Sequence, residues 1–506
     1  MASTVKNTYR KKLSNEYKFA APKEFINRMD MGTPMEREYR NDFMRDRDRV
    51  LYSSAFRRLA GKTQIYLAGT DDHCRNRLTH TLEVSQIART ISCALALDEN
   101  LTEAIALAHD LGHTPFGHAG EQYLHQIMTV HSPVNCAKSI KESPFIDISE
   151  KQFEGSYGFK HNLQGVRLTA KLESAYGAYG LNLTNYTLWG IAHHSNLQYR
   201  KGTFDNMSLT PDYLKEFEAY MCHADGVHEA WSFEAFVVRE ADEIAQWHHD
   251  MEDALYSGAM TAIGVCTSIQ SQLSPFLTEE ELEELDKIKD SFRQVAGQSR
   301  VNKMILAELS HIVVDALVSK IVETSKKNLQ YLWDNYVKKN YKATDVYRFF
   351  EKNCHKSLDT REEIIIEKSI GYQLFGEVDK KIQSSLREYP STIRKNIHHS
   401  KDVERMNAKG QYIIKKLFEA YSSHPQQLPN NVIKRYLRDI GMEKELEKAE
   451  VDGIGAVRSL FDDEIKTRNS GNYDKHKSIL LMRGICDHIA SMTDRYALNE
   501  YAKLYQ

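Results

Sequence analysis

Apolar residues recur with a helical period over most of the chain. Between about residues 40 and 265 they return every three or four positions, and period-two alternation of β-branched residues is scarce. One run opens at Arg77-Leu78-Thr79-His80 and places Leu82, Ile87, Ile91 and Leu95 on one side, with Glu83 and Arg89 on the other. The next carries Ala104, Ile105, Leu107, Ala108 and Leu111 as its buried face, with Thr102 the expected N-cap and Gly112 the expected stop. A third helical pattern contains Arg239-Glu240-Ala241-Asp242-Glu243-Ile244-Ala245. Past Ser274-Pro275 the chain turns charged and helical, over Glu279 to Lys289 and Ile305 to Val322. Further on, Pro425 and Pro429 interrupt a helix that holds Ile413, Ile414, Leu417 and Phe418.

These patterns predict an all-α protein with at most a short β-hairpin, for which Thr63 to Ala68 is the candidate. Residues 1–35 read as a polar, loosely packed arm and 36–270 as a helical core. Residues 271–400 read as a helical elaboration, and 401–506 as a C-terminal helical part packed on the core. Residues 131–160, with two prolines and two glycines among polar residues, read as an irregular segment near the functional site. There is no internal repeat.

Composition narrows the function. Of the 506 residues 41% are hydrophobic and 27% charged, which suits a globular protein with a large core. A net charge of −3 argues against a surface built throughout for nucleic acid. The seven cysteines are scattered with no Cys-x-x-Cys pair, as expected for reduced thiols in a cytoplasmic enzyme. No run of 18 apolar residues occurs and the first residues form no apolar leader, so neither a membrane span nor a secretion signal is expected.

The densest chemistry lies in His109-Asp110-Leu111-Gly112-His113-Thr114-Pro115-Phe116-Gly117-His118-Ala119-Gly120-Glu121. A His-Asp pair ending an apolar helix offers the nitrogen and oxygen donors that a borderline divalent ion takes. Alone, such a pair is weak evidence and fits a hydrogen-bonded structural role better. If a helix begins near His118, Glu121 shares its face and can orient the imidazole for proton transfer, a helix-capping pair being the plainer alternative.

A His, then His-Asp, then a distant Asp is the ligand order of the HD-domain metal-dependent phosphohydrolases, which this chain resembles at His80, His109, Asp110 and Asp242. Further blocks resemble the bacterial dGTP triphosphohydrolases of that superfamily. They include Arg45-Asp46-Arg47-Asp48-Arg49, Ser54-Ala55-Phe56-Arg57-Arg58-Leu59, Lys62-Thr63-Gln64 and Arg77 to Val84. Later come Ala241 to Ala245, His249-Asp250 and Met492-Thr493-Asp494-Arg495-Tyr496-Ala497. The likeness covers roughly residues 40–260 and 405–500 and is weak between 270 and 400.

The resemblance implies an HD-domain fold and one divalent metal ion per subunit. Two nitrogens and two carboxylates suit Mn2+, Fe2+, Co2+, Ni2+ or Zn2+, and Mg2+ less naturally. It implies cleavage of a 2′-deoxynucleoside triphosphate, dGTP by family default, to the deoxynucleoside and inorganic tripolyphosphate. His118 and Glu121 match the family's catalytic pair, and His113 and His161 its phosphate-pocket histidines. Gln64 and Asp250 match residues that contact the sugar, whereas Gln246 stands where a tyrosine is usual. Arg77, one turn before His80, is the best candidate to sit over a metal-bound phosphate; Lys62, Arg57, Arg58 and Arg300 are secondary ones. His193, His194, His248 and His249 are expected to be structural or to support the ligands from behind.

A homo-oligomer, tetramer or hexamer, is also implied. Two other readings stand beside this one: a different HD-type nucleotidase or cyclic-dinucleotide phosphodiesterase, and a regulator that binds single-stranded DNA. The last draws on Lys338 to Lys342 with Tyr347 to Phe350, and on Arg394 to His399, which mix cations with aromatic or imidazole rings but also fit solvated helix faces.

Overall fold

The structure, a computed structural model, describes residues 19–31, 39–64, 75–128, 158–195, 203–204, 207–208, 219–223, 229–294, 303–337, 368–375, 377, 379–398, 400–469 and 475–505. Among these the architecture is all-α. Helix α1 (Asp42–Tyr52) starts where the Asn41 side chain accepts from the Met44 amide, and it buries Phe43 and Val50. Helices α2 (Arg77–Leu95) and α3 (Glu99–Ala108) form an antiparallel pair that receives α1 on one side. A chain excursion carrying α4 (Gly117–Met128), α5 (His161–Arg167) and α6 (Asn185–His193) follows. The 24-residue α7 (Phe233–Tyr256) then packs against α2, α3 and α6 and closes the core.

The next layer is α8 (Ala262–Gln272), α9 (Glu279–Gln294), α10 (Lys303–Leu332) and α11 (Lys380–His398). Its apolar side chains run on into those of the core as a single cluster, and α10 and α11 both lie on α7. A second apolar cluster is built by α12 (Lys401–Ser423), α13 (Asn430–Asp439), α14 (Glu443–Asp452), α15 (Ile454–Asn469), α16 (Lys475–Ala490) and α17 (Asp494–Tyr505). Phe116, Tyr123, Leu124, Ile127 and Met128, on and beside α4, belong to that second cluster. The helix bearing His118 and Glu121 is therefore held by the C-terminal part, while α2, α3 and α7 belong to the first cluster.

Several local expectations are corrected. Asp98, not Thr102, caps α3: its carboxylate accepts from the amides of Asn100 and Leu101. Thr102 lies inside the helix, its hydroxyl bonded to the Asp98 carbonyl and to Ser92. Gly112 does not end the helix by a left-handed turn. Its missing side chain lets α5 approach, since a Cβ there would stand 2.0 Å from the His161 carbonyl oxygen and 2.3 Å from the Gly165 nitrogen. The left-handed residues are Phe116 (φ 63°) and Gly117 (φ 58°), four and five positions later. Leu82 is 49% exposed, because α2 turns Arg77, His80, Thr81 and Val84 inward instead.

One short hairpin is described, and the expected one falls largely outside the described residues. Strands β1 (Thr203–Phe204) and β2 (Met207–Ser208) pair antiparallel, whereas from the Thr63–Ala68 piece only Thr63 forms a bridge, to Asn76, and residues 65–68 lie outside the described set. The described end of the supposed arm is docked rather than loose. Phe19 and Ala21 are buried, and Arg28 pairs with Asp46 at 2.6 Å and Asp42 at 3.0 Å. Most of the 131–160 segment lies outside the described residues. Among those described, no helix is long and apolar enough to cross a membrane.

Candidate active site

Four donor side chains converge from three helices. His80 stands on the first turn of α2, where the Asn76 side chain caps the helix by accepting from the Thr79 amide. His109 and Asp110 follow the last residue of α3, and Asp242 comes from the middle of α7. His80 Nε2 lies 3.0 Å from Asp242 Oδ1 and 3.9 Å from Asp110 Oδ2. His109 Nε2 lies 3.5 Å from Asp110 Oδ1 and 3.8 Å from Asp242 Oδ1.

The donor set fits a divalent cation, on an observation independent of any likeness. His109 Nδ1 donates to the Ala106 carbonyl at 2.6 Å, which leaves Nε2 as a lone pair. That Nε2 is buried and has no hydrogen-bond partner. A buried acceptor left unpaired costs stability, and a cation at the centre removes that cost. Burial opposes ionisation of both carboxyls, but neighbouring groups outweigh it. The neighbouring His109, Arg77 and His113 hold Asp110 well below the usual carboxylate range, and the hydrogen bond with His80, with His109 close by, does the same for Asp242.

Beside the centre, the His118–Glu121 pairing is in place on α4. His118 Nδ1 lies 3.0 Å from Glu121 Oε2, with the imidazole side chain 59% exposed and the carboxylate buried. Glu121 Oε1 accepts from His161 Nδ1 at 2.8 Å and from the His161 amide at 2.9 Å, and Lys160 Nζ is 3.3 Å away. Although burial pushes the other way, His161 and Lys160 hold Glu121 well below its ordinary value. His113 Nε2 is 3.0 Å from Asp110 Oδ1, and the His113 ring stacks on His161 with centroids 3.7 Å apart. His113 Nδ1 is buried without a partner. Burial, Arg77 and His161 depress its pKa, so the ring is neutral. His194 Nε2 touches His161 Nε2 at 3.3 Å, and burial lowers its pKa to about 3.

The remaining expected contacts fall unevenly. Arg77 is buried, and its Nη1 donates to Asp110 Oδ2 at 2.7 Å while Nε has no partner. Gln64 is half-buried near Gly117 and Arg77, its Oε1 enclosed and unpartnered. Asp250, two turns beyond Asp242 on α7, accepts from Arg394 Nε of α11 at 3.0 Å, and its Oδ1 is buried and unpaired. Burial raises the Asp250 carboxyl to about 6. Gln246 is half-buried one turn beyond Asp242.

Lys62 is no phosphate ligand here. Its ammonium donates to the carbonyls of His113 and, at 3.0 Å, Ala490, tying the His-Asp loop to α16; burial lowers its pKa to about 7. Arg58 is committed to Glu173 and Ser54, and Arg57 donates to the Tyr52 carbonyl at the surface. Arg300 lies outside the described residues, as does the Lys338–Phe350 run. Arg394, read beforehand as part of a basic surface run, points instead at Asp250.

Some supporting residues were not among the expected site residues, although Asp494 stands in one of the family-like blocks. Asp494 Oδ1 accepts from the Phe116 amide at 2.9 Å and its Oδ2 from the Thr63 hydroxyl, fixing the left-handed turn before His118. Asp487 holds Gln164 at 3.0 Å and Arg167 at 2.9 Å. Lys160 was visible only as the neighbour of His161.

A helical core that gathers a histidine, a His-Asp pair and a later aspartate defines an HD-domain phosphohydrolase, and residues 77–290 match the HD domain family model. Residues 377–452 and 457–503 match a phosphohydrolase-associated domain. A deoxyguanosinetriphosphate triphosphohydrolase-like protein of Geobacter metallireducens is 30% identical over 472 residues, 93% of this chain and 90% of the relative. Proteins of the same description from Bartonella quintana and Leptospira interrogans are 30% identical over 476 residues and 28% over 496, covering 90% and 98% of those relatives. The chain belongs to this deoxyguanosinetriphosphate triphosphohydrolase-like family.

Proposed function

We propose that the protein hydrolyses 2′-deoxynucleoside triphosphates, dGTP first among them, to the deoxynucleoside and inorganic tripolyphosphate. The observation that carries the reading is the unpaired, buried His109 Nε2 at the meeting point of His80, Asp110 and Asp242, with the His118–Glu121 pair beside it. The names of the relatives point the same way, and the chain spans nine-tenths or more of those relatives.

His80, His109, Asp110 and Asp242 would hold one divalent ion. Bound there, the ion supplies Lewis acidity toward a phosphoryl oxygen and neutralises part of its charge. The protein's own groups do the rest. Arg77, anchored on Asp110, keeps a guanidinium next to the centre to attract the triphosphate and offset charge that builds on it. His113, kept neutral by burial, presents an uncharged ring to the phosphates. Cleavage joins a water oxygen to the α-phosphorus and breaks the bond to O5′, so one proton leaves the water and one reaches O5′. His118, oriented by Glu121 and open to solvent, is the group placed to exchange that proton. Gln64 and Asp250, each with an enclosed unpaired oxygen, are suited to accept hydroxyl protons of the sugar.

The test is a panel of the four dNTPs and GTP, each with Mn2+ or Mg2+, with products resolved by anion-exchange chromatography. Tripolyphosphate and an unphosphorylated deoxynucleoside are the expected pair. Release of orthophosphate or pyrophosphate alone assigns the site to another HD-type nucleotidase, and turnover undiminished after exhaustive chelation overturns the metal reading.

A further inference from the structure

We propose that His249 is a positioning residue for the metal centre: a Glu83–His249–His80 chain fixes the His80 tautomer so that its Nε2 lone pair faces the cation. The proposal rests on the reading of His80, His109, Asp110 and Asp242 as metal ligands. His249 is buried on α7, seven residues past Asp242, and its ring meets His80 with centroids 5.2 Å apart at 71°. His249 Nδ1 and His80 Nδ1 are 3.2 Å apart, and on its far side His249 Nε2 touches Glu83 Oε2.

The proton count decides the polarity. A nitrogen–nitrogen contact at 3.2 Å needs one N–H between two lone-pair sites. A carboxylate oxygen of Glu83 accepts in that contact, so His249 Nε2 carries the hydrogen. A neutral His249 ring then has a lone pair at Nδ1 and must accept from His80 Nδ1–H. That leaves Nε2 of His80, 3.0 Å from Asp242 Oδ1, as the nitrogen turned to the centre, whose hydrogen a cation would displace. The reverse polarity makes His80 Nδ1 the acceptor, which places the hydrogen of a neutral His80 ring on Nε2 and closes that nitrogen to a cation. Arg75 braces the outer end, with its Nε 3.3 Å from Glu83 Oε1 and a further contact to Glu252.

Glu83, His248 and His249 are also close enough to form a donor group of their own. The Arg75 guanidinium against both Glu83 and Glu252 sets a positive charge where a second cation would sit, which favours the relay.

The experiment titrates Mn2+ alone, without nucleotide, into chelator-treated full-length protein. Free Mn2+ is followed by electron paramagnetic resonance, and folding by circular dichroism. The parent should take up one ion. His249→Ala should weaken binding by about 10–100-fold. His249→Asn, whose amide oxygen falls near the Nδ1 position, should recover most of that loss. His249→Gln, which reaches only toward Glu83, should not. Glu83→Ala, at a partly exposed position, should weaken binding in the same direction while leaving the helical signal unchanged.

If folded His249→Ala or Glu83→Ala titrates like the parent, or if Asn and Gln at 249 behave alike, the relay is wrong. Uptake of two ions by the parent and one by His249→Ala would make the Glu83 cluster a metal site instead. A parent that binds no Mn2+ refutes the ligand set itself, separately from the relay.

Discussion

Asp494→Ala tests whether the C-terminal helix holds the turn that delivers His118. Asp494 is buried at the start of α17, and its two carboxylate oxygens accept from the Phe116 amide and the Thr63 hydroxyl. A hydrogen bond to a charged group contributes about 1.5–3 kcal/mol, and a buried amide left unpaired costs about 1–3 kcal/mol. Both donors lie in one small region and do not count twice, so a local loss of about 3 kcal/mol is the working figure. Each 1.4 kcal/mol is about tenfold in a local opening constant, so amide exchange in the 109–121 peptide should accelerate on the order of 100-fold. Hydrogen-exchange mass spectrometry of the metal-free protein reads this directly. Asp494→Asn keeps an acceptor for the Phe116 amide and should move exchange by less than about tenfold. Turnover should fall in the alanine variant while Mn2+ uptake persists, because His80 and Asp242 sit on helices of the other cluster and His109 and Asp110 directly follow a third. Unchanged exchange at residues 109–121 in Asp494→Ala, or equal effects of Ala and Asn, would refute the clamp.

Other perturbations separate the remaining roles. His118→Ala should keep its metal content and lose turnover by about 10²-fold or more, whereas Asp110→Ala should lose both; elemental analysis beside the chromatographic assay checks each. Gly112→Ala drives a Cβ to 2.0 Å from a backbone oxygen, where no side chain can yield. It should therefore cost more than the roughly 1–3 kcal/mol of ordinary overpacking, read as a lowered urea midpoint. Glu234 has its carboxyl raised by burial from 4.5 to about 7. A carboxyl whose folded pKa exceeds its unfolded one stabilises the fold at low pH and loses that contribution as pH rises toward 7. Glu234→Gln should thus match the parent near pH 4.5 and gain up to roughly 3 kcal/mol at pH 8; an equal difference at both pH values contradicts the shift.

The order of the helices and the chemistry along them could be read from the chain because both follow local period and local spacing. His118 and Glu121 needed only the three-residue step of a helix. Caps were harder, since Asp98 and Thr102 are both cap-forming types. The choice was made by Glu234, 136 positions away, whose carboxylate takes the Asp98 amide at 2.9 Å. Lys62 looked like a phosphate cation because its partners at 113 and 490 cannot be seen from position 62. Leu82 was placed inside by its hydrophobicity, yet the inward face of α2 is given to Arg77 and His80, which the site requires. Gly112 had the composition of a helix stop, and only the approach of α5 reveals its other use. What stayed hidden in each instance was a partner distant in sequence.

The attachment of Phe116 and Thr63 to Asp494 has a bearing on synthesis. Three of the four donors have been translated by position 110 and the fourth by 242, but the carboxylate that secures the preceding turn arrives only with the final helix. A nascent or prematurely terminated polypeptide ending before that point possesses every ligand and still lacks the latch. Removing residues 494–506, thirteen positions, would take the latch away and leave all four ligands in the chain.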